Sequence, residues 1–470
     1  MQPLYPTKEI FESQKKHYNM IPLCATLKAG GDVLDIYKKF RGENSFILHS
    51  ATSDSKLGKY SFIGFEPFLV FKSKGNKISI NGKTQEGNPF KVLRELIQRY
   101  KSPRGNLPLF FGGAVGYFSY EVAHFFEKIP KARIDDIDVP DIYFVFVDKA
   151  IVYEHEKKEV SLIVLGNDYE KLSDELKSLT KRLSRKISVG EKDKDISRGN
   201  LRFNFSRQNY IKAIKKILNY IKIGDTYQVN LSQRTEAEVS GDAISIYENL
   251  IRINPSPFSA LLEFEDVEII SSSPERLVRL ENSVASTRPI AGTRRRGKTN
   301  KEDFVLENEL KNSAKENAEH TMLVDLGRND LGKVCDYGSV KVDEIMTIEK
   351  YSHVMHLVSN ARGKLHPKKD CFDLFKAMFP GGTITGCPKI RTMEIISELE
   401  PTARGPYTGS LGYFNFSGEM DFNIIIRSIV MKGNRIFAQA GGGIVADSNP
   451  DEEYKETLYK AQAMIDAIER

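Results

Sequence analysis

No stretch of this chain is apolar for long enough to span a bilayer, which excludes a helical membrane protein. The opening residues, Met1-Gln2-Pro3-Leu4-Tyr5-Pro6, lack the basic start and apolar stretch of a secretory signal. A cytoplasmic location is the expectation. Cysteine is scarce: Cys24, Cys335, Cys371 and Cys387 are widely spaced, with no Cys-x-x-Cys pair. That argues against structural zinc and suits a reducing compartment. Charge of one sign is also scarce. A net charge of +6 over 470 residues permits an anionic small substrate but is no nucleic-acid footprint. No period of about twenty to fifty residues recurs, so a repeat architecture is excluded. What is left is a soluble globular composition, 40% hydrophobic and 28% charged, in a chain long enough for about two to four domains.

Strand patterns dominate the first part, as in Ser45 to Ser50, Phe68 to Phe71 and Ile142 to Val147. Gly112 to Tyr117 is not followed by Lys-Ser/Thr, so it reads as a tight turn into a strand and not as a phosphate loop. The charged run from Ser184 to Gly199 is the best linker. It divides an N-terminal region (1–185) from a C-terminal one (205–470), with 186–204 between them. Beyond it, Tyr210, Ile214, Ile217, Leu218 and Ile221 mark a helix, and Tyr227 to Leu231 a strand. Long helices are expected from Glu302 to Leu326 and from Pro450 to Glu469. The second of these has Asn449 as cap, Pro450 in the first position and Glu452 to complete a capping box. Strands and helices do not alternate regularly, which predicts an α+β fold with large antiparallel sheets.

Two pairs of glutamates stand out. Glu316 and Glu319 precede His320, and Glu453 and Glu456 precede Lys460. The i, i+3 spacing puts each pair on one helix face. Glu316, Glu319, Leu323 and Leu326 share one stripe, and a carboxylate on an apolar stripe needs a compensating cation or proton. The second pair flanks an apolar face and, taken alone, reads as an exposed acid-to-base ladder. Oxygen donors without a Cys/His cluster suggest a hard cation, Mg²⁺ before Zn²⁺.

Other segments suit anion binding. Gly292-Thr293, within Arg288 to Gly297, offers a bare amide and a hydroxyl, while Arg295 and Arg296 read as a solvated basic loop. Gly381 to Lys389 reads as a glycine-rich turn before a helix from Ile390 to Leu399, with Lys389 on a carboxylate or in solvent. Gly441, Gly442 and Gly443 follow an apolar strand and could cradle a carboxylate; no βαβ unit surrounds them. Arg427, at the end of the apolar strand Asn423 to Ile426, needs an anion or a partner. Tyr351 to His356 alternates as a strand, with Val354 and His356 on one face and His353 and Met355 on the other, so one histidine is buried.

Taken together, these segments resemble the chorismate-utilising enzymes. Ala318 to Asp330, Pro289 to Thr293, Tyr351 to Ser359, Gly381 to Lys389 and Gly441 to Lys460 carry the resemblance, which covers Phe205 to the C-terminus. Ile47 to Ser50, Lys59 to Gly64 and Gly112 to Tyr120 are similar to the family's N-terminal region. The resemblance implies two packed antiparallel sheets with helices outside. It implies Mg²⁺ between a substrate carboxylate and Glu319 and Glu456, with Glu316 and Glu453 supporting the metal through water. It places Tyr407, Arg427, Gly443 and Lys460 on the substrate carboxylates, and Gly292, Thr293 and Thr383 in the same pocket. His356 matches a proposed acid or base, and Glu275 a glutamate that protonates a leaving hydroxyl.

Branches of this family differ in nucleophile. Water-adding members carry a lysine where Gln228 stands, and a carboxamide is no general base at neutral pH. The resemblance therefore favours ammonia. Amination at ring carbon 4, giving 4-amino-4-deoxychorismate, is the expected branch, on the resemblance of Gln228 to Leu231, Pro380 to Thr385, Met420 to Ile424 and Leu48 to Ser50. Amination at carbon 2, giving anthranilate, is supported by Ala291, which stands where many carbon-4 enzymes carry a lysine. Ser50, Pro257 and Phe258 match part of a tryptophan pocket, with His49 in place of the usual glutamate; core packing is the other reading. No Gly-x-Cys-x-Gly segment is present, so a separate glutamine amidotransferase is the expected partner. A catalytically silent chorismate-binding subunit is the reading from a different class.

Overall fold

The structure, a computed structural model, describes residues 4–51, 58–105, 107–132, 134–185, 196–351 and 354–469. Residues 186–195 of the expected linker, and His353, lie outside these. The architecture is the expected α+β one, built on two antiparallel sheets with helices outside. The larger sheet runs, in order, Ile21–Lys28, Glu159–Gly166, Lys149–Glu154, Tyr60–Gly64, Ser45–His49, Phe258–Phe264, Val267–Ser273, Ser428–Lys432, Arg435–Ile444 and Gln228–Ser240. The second runs from Ile290–Arg295 through Val354–Lys364, Val284–Thr287, Arg276–Glu281, Met420–Asn423 and Ser410–Asn415 to Gly113–Phe118, Ile142–Val147 and Leu69–Lys74. Each sheet therefore pools strands from both sides of the expected linker.

The predicted strands fold as their patterns require. Ile142–Val147 is buried at every position, the signature of a strand covered on both faces. Between the sheets Phe46 and Phe62 meet Phe110 edge-on, within a core shared by both. A second core lies under the helices Val33–Phe40, Tyr169–Ser184, Ala243–Ile253 and Pro450–Ala467 on the outer face of the larger sheet.

Five local expectations are corrected. The helix expected from Glu302 to Leu326 is two helices, Asn300–Asn312 and Ala314–Gly332. Ser313 interrupts them because its side chain caps the second by accepting from the Glu316 amide. Asn449 and Pro450 start the last helix as expected. Glu452 does not complete a capping box there; its carboxylate pairs with Lys455 at 2.8 Å. The three glycines do not follow a strand. They lie inside Arg435–Ile444, paired with Asn230, Leu231 and Ser232. Arg427 is not on a strand either: it joins Met420–Asn423 to Ser428–Lys432 with φ +53°. Arg295 and Arg296 are ion-paired, and Arg295, though exposed, is in a strand and not a loop. Arg295 ends the Ile290–Arg295 strand and pairs with Glu302 at 2.5 Å; Arg296 grips Asp303 at 2.8 and 3.0 Å.

Candidate active site

Where the C-terminal strands of the two sheets face each other lies a cavity of ≈ 570 Å³. The helices Ala314–Gly332 and Pro450–Ala467 contribute to its wall. Gln228, Glu275, Gly292, Thr293, Glu316, Glu319, His356, Thr383, Tyr407, Arg427, Gly441, Gly443, Glu453, Glu456 and Lys460 all line it. They come from segments more than 200 residues apart in sequence. Gly442 stands just behind: a Cβ there would meet Glu453 Oε2 at 3.1 Å and Glu456 Oε1 at 3.7 Å.

The break at Ser313 places Glu316 in the first turn of its helix, at the positive end of the macrodipole. Glu319 follows one turn on, and the stripe they share with Leu323 and Leu326 faces this cavity and its neighbour. On the opposite side His320 is fully buried, with Nε2 2.6 Å from Ser359 Oγ. Burial lowers its pKa to about 4, so it pins the helix to the Val354–Lys364 strand as a neutral imidazole.

Each glutamate is compensated separately. Glu316 Oε1 lies 3.2 Å from Arg294 Nη1, and Glu319 Oε1 accepts from Gln228 Nε2 at 2.8 Å. Glu453 Oε1 accepts from Ser448 Oγ at 2.6 Å, and Glu456 Oε1 pairs with Lys460 Nζ at 2.6 Å. Burial, and then the nearby Glu456 charge, raise the pKa of Glu453. Among the described residues no three His, Cys, Asp or Glu side chains are already gathered as a ligand cluster. The donor set nevertheless fits a hard divalent cation. It is all oxygen, anionic and disposed around one cavity, and the flexible arms of Arg294 and Lys460 now supply the opposing charge.

A second set of groups in the cavity is suited to carboxylates. Arg427 has no carboxylate partner among the described residues; its Nη1 donates to the Lys460 carbonyl at 2.6 Å. Burial lowers its pKa, which is the cost of holding a cation there. Tyr407 lies beside it, its hydroxyl held protonated by burial. Gly443 allows the closest approach among the glycines lining this cavity, because a Cβ there would sit 2.3 Å from Gln228 Nε2. Gly292 takes φ +62° at a bulge where the strand register shifts between Ala291 and Thr293. The bulge turns Thr293 Oγ1 to within 3.0 Å of His356 Nδ1. Met355 and Leu357 enter a small core with Leu310, which leaves His356 on the cavity side. Burial, with help from the Arg427 charge, lowers its pKa to about 4.

Glu275 is the most perturbed acid in the cavity. It is 6% exposed, and burial raises its pKa to about 8. The Thr383 hydroxyl and the Ile290 backbone hold the value lower than burial alone would. At neutral pH it is a carboxylic acid with a proton to give.

Among the groups in this cavity that sequence reasoning passed over are Asn230 and Gln439. Their strand positions were legible; the absence of hydrogen-bond partners for their oxygens among the described residues was not. It also left Lys389 between two outcomes. The structure chooses the carboxylate, 2.6 Å from Asp330 Oδ2.

Ser50, Pro257 and Phe258 line a different cavity of ≈ 270 Å³, together with His49 and Tyr413. It shares no lining residue with the first. His49 Nδ1 lies 3.1 Å from the Tyr247 hydroxyl, and burial lowers its pKa to about 4. Among the described residues no helix is long and apolar enough to cross a membrane.

Residues 30–466 match the model of a family described as chorismate binding enzyme. The chain is 40% identical to anthranilate synthase component 1 of Acetivibrio thermocellus, covering 99% of this chain and 98% of that one. It is 44% identical to aminodeoxychorismate synthase component 1 of Bacillus subtilis (strain 168), covering 90% and 92%. Among solved structures, anthranilate synthase component I from Streptococcus pneumoniae TIGR4 superposes with a TM-score of 0.80 at 33% identity, covering 93% of this chain and 98% of that one.

Proposed function

The chain belongs to the chorismate-binding enzymes, and from that premise we propose that it aminates chorismate with ammonia at ring carbon 4, forming 4-amino-4-deoxychorismate and water. The observation that carries amination over hydration is Gln228. Its carboxamide points into the cavity as a donor to Glu319, and a carboxamide cannot deprotonate water at neutral pH. Ammonia needs no such base, because its lone pair is already free.

Arg427, Tyr407 and the Gly441–Gly443 backbone are suited to the substrate carboxylates by charge and by bare amides. Glu319 and Glu456 would hold Mg²⁺, with Glu316 and Glu453 behind them; the ion's contribution is to tether and neutralise a carboxylate. Glu275 gives its proton to the carbon-4 hydroxyl, which leaves as water as the C–O bond breaks and the C–N bond forms. The new ammonium then returns a proton, and the acid is restored. Neutral His356, oriented by Thr293, is available to accept or relay a proton beside the ring.

Carbon 4 is supported by the Gln228 to Leu231, Pro380 to Thr385 and Met420 to Ile424 segments and by the higher identity of the Bacillus relative. A second reading, amination at carbon 2 with loss of pyruvate, is favoured by Ala291. It lines the cavity with a methyl group and no amine. Ammonia would come from a separate glutamine amidotransferase subunit, as the sequence holds no nucleophile segment for that reaction. The second cavity is assigned, on the same reading, to a regulatory amino acid such as tryptophan.

The test is incubation of the purified chain with chorismate, ammonium chloride and MgCl₂. The expected product yields 4-aminobenzoate only after a lyase is added. Directly fluorescent anthranilate would move the reaction to carbon 2, and no consumption by folded protein would make the chain a silent binder. Glu275→Gln is expected to lower kcat by roughly 10²-fold or more. The active form of Glu275 is the acid, so kcat should hold below pH 8 and fall as pH rises through about 8. A profile flat from pH 7 to pH 9 would remove Glu275 as the proton donor.

A further inference from the structure

Four arginines crowd the segment from Arg288 to Arg296, and three of them are paired away from the catalytic cavity. Arg288 bridges Glu344 and Glu349, Arg295 pairs with Glu302, and Arg296 grips Asp303 through two nitrogens. None of these carboxylates lines the cavity. Arg294 differs. It lines the cavity, and it meets a carboxylate at one point, Nη1 to Glu316 Oε1 at 3.2 Å. The same nitrogen donates to the Thr293 carbonyl at 2.9 Å. The side chain is 32% exposed, so the rest of the guanidinium stays open to an incoming anion. Glu316 is held between this arginine and bare backbone: a Cβ at Gly292 would sit 2.9 Å from its Oε2. A lone, partly exposed ion pair of this kind stabilises little and opens readily.

The charges around the cavity give such a pair a use. Glu316, Glu319, Glu453 and Glu456 bring four negative charges when ionised, and Arg294, Lys315, Arg427 and Lys460 bring four positive ones. Glu275 and His356 add none at neutral pH. The side chains therefore balance among themselves. A divalent cation entering alone leaves an excess of positive charge, and dianionic chorismate entering alone an excess of negative charge, each costly in a cavity partly shielded from water. Entering together they keep the balance, provided that a cation now held by a glutamate moves to the substrate.

We propose that Arg294 is an exchange residue, an inference that rests on the chorismate and metal reading of this site. It holds Glu316 while no divalent cation is bound, yields that carboxylate when one binds, and turns its freed fork to a carboxylate of the substrate. Cation and substrate thereby raise each other's affinity, and by linkage the effect is reciprocal.

The probe is Mn²⁺, which takes oxygen ligands as Mg²⁺ does and whose free form is counted by electron paramagnetic resonance. Wild type, Arg294→Gln and Lys315→Gln are titrated with Mn²⁺ in the absence of chorismate. Chorismate binding is then followed by calorimetry at saturating Mn²⁺, with ammonium left out so that no amination runs. Lys315 is the control: it lines the same cavity from the first turn of its helix and forms no ion pair among the described residues. Without chorismate, Arg294→Gln should bind Mn²⁺ about threefold tighter than wild type or better, and Lys315→Gln within about twofold of wild type. At saturating Mn²⁺, Arg294→Gln should bind chorismate about tenfold more weakly, the worth of one charge-assisted hydrogen bond. Opposite signs are the signature, because a merely structural role would weaken both. Arg294→Lys keeps the charge without the fork, so it should leave Mn²⁺ affinity near the wild-type value and still weaken chorismate. Mn²⁺ affinity unchanged or lower in Arg294→Gln, or raised equally in Lys315→Gln, overturns the exchange and leaves the functional reading standing. A wild type that binds neither Mn²⁺ nor chorismate removes the functional reading and the exchange with it.

Discussion

Glu319→Gln is expected to abolish chorismate turnover, by roughly 10²–10³-fold, with no loss of fold. Glu319 faces the cavity and is only partly buried, and it accepts a hydrogen bond from the Gln228 amide. Glutamine in its place keeps the volume and an oxygen for that bond. What disappears is the negative charge that a divalent cation requires. Glu456→Gln should behave alike from the other side of the cavity. Its side chain is 48% exposed, so the fold does not depend on it. Steady-state consumption of chorismate at saturating Mg²⁺, with circular dichroism as control, decides the matter. A folded Glu319→Gln protein with wild-type kcat would end the metal assignment.

Arg404→Met is expected to destabilise the chain by about 3–5 kcal/mol. Arg404 is 2% exposed and is held at every nitrogen. Its Nε and Nη2 grip Glu400 at 2.9 and 2.7 Å, Nη1 reaches the Ile384 carbonyl at 3.0 Å, and Nη2 the Asn230 carbonyl at 2.7 Å. Removing it would strand the Glu400 carboxylate, which is 5% exposed and, among the described residues, keeps the Ser232 amide and hydroxyl as donors. An unpaired buried charge is the mechanism that makes such losses large, so Arg404→Met/Glu400→Leu should recover much of the stability. Urea unfolding of the single and double variants measures this. A single variant within about 1 kcal/mol of wild type would show the pair to be structurally idle. The same pair ties Asn230 to the Ile384 turn, so the single variant should also blur the wall of the active site.

The legible part of this molecule was local. Periodicity placed Ile142–Val147 and Ser45–His49 within a residue, because alternation and β-branching act over a few neighbours. Asn449 and Pro450 marked the start of the last helix for the same reason. The illegible part depended on partners distant in sequence. Ser313 looked like one more helical residue until its hydroxyl took the Glu316 amide. Gly441 to Gly443 looked like a loop after a strand. They are strand because they pair with Asn230, Leu231 and Ser232, and Asn230 and Gln228 lie over Gly441 and Gly443 where a Cβ would clash. Arg427 looked like the end of an apolar strand, and φ +53° shows a corner between two. Glu316, Glu319, Glu453 and Glu456 were singled out by spacing alone, yet nothing within either helix said that both faced one cavity.

By itself, then, the chain determined its class and its chemical vocabulary: two carboxylate pairs, glycine-rich segments, and a carboxamide at Gln228. Side-chain type and short-range spacing carry that information. Tertiary structure alone decided how those groups act. Burial made Glu275 an acid with pKa about 8 and kept His356 neutral. Packing left the oxygens of Asn230 and Gln439 without donors among the described residues. The reason is physical: desolvation and hydrogen-bond satisfaction are properties of what surrounds a group, and those surroundings come from segments far away along the chain.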